Sequence, residues 1–331
     1  MPRPSPDKDL ASENYPGLNA MFYEARPHDY FGQRLSNLIL VAGKRSGLEA
    51  LMAEGVTFGD LSAPAGQPSC GSAEERDKAA ELFVTAETEV LCHHAGETLL
   101  RLYLAHEGLP PCPWLEVSRV RYPRDFKVLV KRRFGPEIDG ADPKRREALA
   151  KIFYSTDSRE RLEPMPSEES WNESLRVIEM YLRHFARQFI DKAALYNATK
   201  HGLAVMPSTS TMQYNDGALV SADGPAIEYL YLREREDGQS RWYRGTHWVK
   251  RDVQMAFAYR ACQLIDMLWT VAKSRYLQDV SGDGVAVELF GPPTPADLQI
   301  GADARGVVTT EMGTELLYYR PEGGPDSGHY E

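Results

Sequence analysis

Residues 167–202, SEESWNESLRVIEMYLRHFARQFIDKAALYNATKHG, decide how the rest of the chain is read. Ser167 is a helix N-cap with acidic residues in the first turn behind it. Trp171, Leu175, Ile178, Leu182, Phe185, Phe189, Ala193 and Tyr196 then recur every three or four positions. That spacing puts one apolar stripe along a single long helix, which ends at His201-Gly202 with glycine as the left-handed cap. A helix so apolar on one face must bury it, so this helix is expected at the centre of the core.

Working upstream, a helical pattern runs from Ala73 to Glu107 and stops at Gly108 and two prolines. Short helices are predicted around 124–134 and 143–154. Before them, Phe31, Leu35, Leu38, Ala42, Leu48 and Leu51 mark a helix from about Asp29 to Glu54, and GVTFGDLSAPAGQPSCGS reads as a loop. Residues 1–25 are Pro-rich and read as an arm laid over the domain or a mobile end. Downstream the period changes to two: AIEYLYLRERE and RWYRGTHWV flank DGQS as an antiparallel hairpin, about 226–249. A last helix, about 250–278, buries Val253, Phe257, Ala261, Leu264, Leu268 and Ala272. The end of the chain offers a possible strand, VAVELF, and a fraying tail.

The fold expected is mainly α: a helical bundle over 74–280 with a β-hairpin inserted before its last long helix. Residues 1–73 pack on it as arm, helix and loop, and 281–331 form a short strand and tail. The alternation of a doubly wound sheet is missing.

Composition narrows the function classes. The 331 residues hold 38 Lys and Arg against 48 Asp and Glu, a net charge of -10, so the chain as a whole is no basic nucleic-acid coat. Cys70, Cys92, Cys112 and Cys262 lie too far apart for a zinc finger or a disulfide framework. No secretory leader and no apolar run long enough for a membrane span is found, which points to a cytoplasmic chain with reduced thiols. There is no GxGxxG after a strand, P-loop, HExxH or GxSxG, and no cofactor is expected.

The candidate site in the deciding stretch is its end. Asn197 and His201 stand one helical turn apart, and Lys200 continues the stripe after Tyr196. The carbonyls of a last turn favour a cation, which would suit His201 as a general acid or phosphate contact. The same residues can equally tie the helix end to a neighbouring loop.

The string YNATKHG, set behind a long amphipathic helix and before a hairpin and a helix ending LIDMLWTVAKSRY, resembles bacterial proteins related to the HEPN superfamily of helical bundles. The resemblance implies a homodimer and RNA or nucleotide binding, with metal-independent RNase activity of the defence or toxin type in active members. Their motif is Arg, a polar residue, three to five variable residues and His. Asn197 matches the polar position and His201 the His, while the Arg position holds Tyr196, whose hydroxyl lacks a guanidinium's charge and paired donors. On this reading His201 is the acid/base, Asn197 places a phosphate or 2'-hydroxyl, and Lys200 adds charge.

Other candidates lie elsewhere. Arg101 and His106 have the Arg-x4-His spacing, with the alternative that Arg101 is a surface residue and His106 answers the helix dipole. Glu89, His93 and Glu97, next to His94, share one helix face and can present carboxylates and an imidazole to a metal, or simply hold the histidine in place. Between 119 and 133, Arg119, Arg121, Arg124, Lys127, Lys131, Arg132 and Arg133 face only Asp125. The hairpin interleaves Arg233, Arg235, Arg241 and Arg244 with tyrosines and Trp242, a pattern on which bases can stack. Three functions follow: an RNA-binding or RNA-cleaving protein, a non-catalytic scaffold with a protein partner, and a metal-dependent bundle enzyme.

Overall fold

A computed structural model describes residues 10–43, 56–58, 61–63, 72–120, 123–135, 143–200, 205–215, 219–234, 238, 240–277, 288–291 and 311–315. Its longest element is α3, Ala73–His106. Ser72 starts it with a capping box: its hydroxyl accepts from the Glu75 N–H at 3.2 Å, and the Glu75 carboxylate accepts from the Ser72 N–H at 2.6 Å. Two of the four orphan donors of the first turn are thereby satisfied.

Around α3 stand α1 (Tyr15–Glu24), α2 (Pro27–Gly43), α4 (Pro113–Arg119), α5 (Pro123–Phe134), α6 (Pro143–Tyr154), α7 (Glu168–Asp191), α8 (Ala193–Lys200) and α9 (Arg251–Leu277). Helices α9, α7, α2, α4 and α8 all pack against α3. Ser167 caps α7 by accepting from the Ser170 N–H at 3.1 Å, and the stripe Trp171, Leu175, Ile178, Leu182, Phe185 and Phe189 is buried. The α3/α7 crossing is set by Gly96, where a Cβ would stand 2.5 Å from Phe185 Cδ1.

The deciding stretch forms two helices, not one. Lys192, at φ -97 and ψ 26, leaves the helical path, and α8 restarts with Tyr196 N–H donating to Lys192 O at 2.9 Å. The break re-aims the last turn and a half so that Leu195, Tyr196, Ala198 and Thr199 are all buried.

The inserted β unit is larger than a hairpin. Strands β3 (Val205–Asn215), β4 (Leu219–Glu234) and β5 (Ser240–Trp248) form an antiparallel meander, and β6 (Glu311–Glu315), beyond α9, pairs with β5. The β4/β5 register runs from Ala226↔Trp248 to Glu234↔Ser240. Gly245 lies under the Tyr229 ring, where a Cβ would come 2.6 Å from Cζ.

Three other readings change. The expected N-terminal arm contains α1, whose Tyr23 and Asn19 are buried. The expected loop 55–72 holds a short pair, β1 (Val56–Phe58) and β2 (Leu61–Ala63). The tail is stitched down where it is described: Glu288–Phe290 is not strand, but Phe290 N–H donates to Tyr154 O–H at 3.1 Å and Ser174 O–H donates to Phe290 O at 3.0 Å. Helix α2 is described to Gly43, and the predicted remainder to Glu54 lies outside the described residues, as do Cys70 and Val285–Val287. Among the described residues no helix is long and apolar enough to cross a membrane.

Gly96→Ala is expected to lower stability by roughly 1–2 kcal/mol, because overpacking against Phe185 exceeds the gain in helix propensity. Urea unfolding checks this, and Phe185→Leu in the Gly96→Ala background should recover part of the loss.

Candidate functional site

Helix α8 sits between α3 and β4, and that position decides where the YNATKHG side chains go. Tyr196 turns inward. It is buried, donates its hydroxyl to the Glu97 carboxylate, and lies 5.1 Å from the His93 ring and 6.0 Å from Phe189. Asn197, one residue on, is exposed. Tyr196 and Asn197 therefore do not share a site. The Lys200 side chain and all of His201 lie outside the described residues.

Glu97 serves a second partner. Arg101 donates to its Oε1 from Nε at 2.8 Å and Nη2 at 2.7 Å, gives Nη1 to Val120 O at 3.0 Å, and lies 4.0 Å over the Phe126 ring. A guanidinium does stand beside Tyr196, but it comes from α3 and is held between α4 and α5. It is not the surface residue the helical phase suggested. His106, its partner in the Arg-x4-His spacing, is nearly fully buried. Its Nδ1 lies 2.6 Å from Leu102 O, so that nitrogen carries the proton, and Nε2 accepts from the Tyr23 hydroxyl at 2.7 Å. Burial lowers its pKa to about 4, so it is neutral and does not answer the helix dipole.

The metal reading of Glu89, His93 and Glu97 fails on the same geometry. Both Glu97 oxygens are engaged, by Arg101 and Tyr196, and among the described residues no group of three His, Cys, Asp or Glu can hold a metal ion. Glu89 instead lies, 1% exposed, between His93 Nε2 at 3.0 Å and His247 Nε2 of β5 at 3.5 Å. Burial opposes its charge, but His247, His93 and Lys192 outweigh burial and hold the carboxyl well below the usual carboxylate range. His94 faces Arg34 of α2 at 3.3 Å, and Arg34 also pairs with Glu87.

The basic segment is split by its folding. On α5, Phe126, Val130 and Phe134 face the core, while Arg124, Lys131 and Arg132 are exposed and Lys127 is half-buried. The Lys127 amine is pushed down by partial burial and by Lys131 beside it. Arg133 is drawn back onto Glu107, and Arg119 pairs with Glu116. Arg121 lies outside the described residues.

The hairpin arginines divide between two faces, since neighbours along a strand point opposite ways. Arg233 and Arg241 pair in register beyond Tyr231 and Tyr243, whose rings stack at 5.5 Å. Trp242 and Arg244 are on the other face, where Arg244 reaches Glu228 at 2.6 Å. Arg235 lies outside the described residues.

A cleft of about 800 Å³ between α2, α3 and the β5/α9 corner, lined by Val41, Glu81, Val84, Lys250 and Asp252, includes none of the candidates named from the sequence. The sequence reading also missed Tyr23 and His247; His247 sat at a tyrosine-face position of β5, the one signal that it points inward. No family model, curated protein or solved structure matches the chain.

Tyr196→Phe should cost about 1–3 kcal/mol by leaving a Glu97 oxygen unmet, measured by chemical denaturation. Acid should also weaken the fold through His106. Above pH 6.5 neither folded nor unfolded chain is protonated there; as pH falls from 6.5 to about 4 only the unfolded chain takes up the proton. Roughly 3 kcal/mol should be lost across that window, and His106→Gln should flatten that part of the denaturation midpoint against pH.

Proposed function

We propose that this chain is a HEPN-like bundle that binds RNA through the solvent face of α5 and does not cleave it at the YNATKHG string. The observation that carries this reading is the array of Arg124, Lys127, Lys131 and Arg132 along α5, in a chain of net charge -10. Like charges set this close repel one another, and a phosphate backbone relieves that repulsion. The non-cleaving part rests on Tyr196, which occupies the motif's Arg position with its hydroxyl committed to Glu97. Arg101, which shares the Glu97 carboxylate with it, is spent on Glu97 and Val120 O.

A second reading, a scaffold that binds a protein partner, is favoured by the far side of the sheet. Met206, Leu230, Leu232 and Trp242 are exposed there on one face of adjacent strands.

Fluorescence anisotropy with labelled single-stranded RNA separates the two. Each phosphate contact contributes about 0.7 to the slope of log affinity against log salt. A Lys131→Ala, Arg132→Ala variant should therefore lower the slope by about 1.4 and weaken binding at least tenfold at low salt. The RNA should stay intact with and without EDTA. No binding, or a slope unchanged in the variant, would overturn the RNA reading. Cleavage lost in His201→Ala would overturn the non-cleaving one.

A further inference from the structure

Among the described residues β3 and β4 pack on α3, and two further contacts of different kinds join the sheet to the bundle. One is a small apolar cluster, Leu195, Ala198, Ile227, Tyr229 and Val249, separate from the main core. The other is polar: His247 Nε2 of β5 lies 3.5 Å from Glu89 Oε1 of α3, both side chains 1% exposed. We propose that Glu89, clamped between His93 and His247, is an acid-sensitive catch that holds the β3–β6 sheet on the bundle and lets it loosen when both imidazoles are protonated.

The geometry supplies the reason. One carboxylate oxygen, Glu89 Oε1, serves both imidazoles, at 3.0 and 3.5 Å. A single imidazolium balances the carboxylate; a second leaves an excess positive charge with no water to screen it, and that is costly. One further acid stands near on α3, Glu97, and both its oxygens are engaged, by Arg101 and Tyr196; on β6, Glu311 is in register with His247. From α3 the site is faced by His93 and the Cys92 thiol, which burial pushes up and keeps neutral. From α7 comes His184, stacked 4.1 Å from Phe257, with its pKa lowered to about 3 first by burial and then by Lys192 and Arg187. Lys192 at the α7/α8 break acts on Glu89 itself, and Tyr196 of α8 covers His93. Lys192 is positive and the Glu97 charge is already matched by Arg101, so a second imidazolium adds to surroundings that already hold positive charge.

The strain falls at the sheet. His93 is on the same helix as Glu89, while His247 can leave only by moving β5, which is paired to β4 at Ile227 and to β6 at Glu311. On the bundle side, β5 continues through Val249 and Lys250 directly into α9, so release means a swing about that corner and not loss of the strand.

Hydrogen exchange of the full chain by mass spectrometry, corrected for the intrinsic pH dependence of exchange, tests this. Between pH 7.5 and 5.5, amides of Ala226–Glu234 and Ser240–Trp248 should lose about tenfold or more protection relative to core amides of α3 and α9. His247→Gln should abolish that difference. In the wild type, the imidazole resonances of His93 and His247, assigned through bonds, should change together with the loss of sheet protection, a readout that needs no variant to fold. Sheet and core amides losing protection in step, a difference that survives His247→Gln, or imidazole resonances that stay unchanged while the sheet loosens would each overturn the proposal.

Discussion

From Val84 to His106 no residue of α3 is exposed, yet that stretch carries Glu87, Glu89, His93, His94, Glu97, Arg101 and His106. A polar head inside a protein must find a partner or cost several kcal/mol. The surrounding elements bring a polar group to most of them, although Glu89 Oε2 and His93 Nε2 make no hydrogen bond among the described residues. Tyr23 of α1 meets His106, Arg34 of α2 meets Glu87 and His94, Tyr196 of α8 meets Glu97, and His247 of β5 meets Glu89. Arg101 reaches out to the end of α4 and over a ring of α5. Apolar packing forms the bulk of the core, but each of these neighbours is also fastened to α3 by a polar contact of its own.

This arrangement explains where chemistry is available. The inward-facing candidates are bound to each other, and a side chain whose donors are already matched has little left for a substrate. Several places open to a ligand are peripheral: the outer face of α5, Asn197 on α8, and the far side of the sheet. Against a net charge of -10, the exposed cations of α5 make a local positive strip about the length of that helix.

The long helices were legible because their signals are local. Ser72 with Glu75, Ser167 with its acidic first turn, and the stripe from Trp171 to Phe189 are written within a few residues of each other. The β4/β5 pairing was legible for the same reason. The break at Lys192 was not, since the apolar spacing runs through it undisturbed and only the demand of α8 to lie on β4 bends the chain there. Strand β3 was missed because MPSTSTMQ, with a proline and several small polar residues, carries a weak β signal, and its pairing with β4 provides the order. The site was least legible. The spacing of Glu89, His93 and Glu97 along one helix face was correct, and the hold of Glu89 on His93 one turn away was readable from it, but Tyr196 and His247 reach that face from about 100 or more positions away, and no helical periodicity reports a contact across such a separation.

The polar contacts of α3 also act as a ruler. Leucine and alanine surfaces tolerate sliding by a turn, about 5.4 Å along a helix axis, because one methyl group serves nearly as well as the next. A carboxylate displaced by a turn from its arginine or histidine meets an apolar wall instead. With engaged heads at 87, 89, 93, 94, 97, 101 and 106, a helix of 34 residues has one axial setting against α1, α2, α8 and β5 together. Few settings satisfy so many fixed points at once, and the uniqueness of the packed arrangement rests on that count more than on the strength of any one contact.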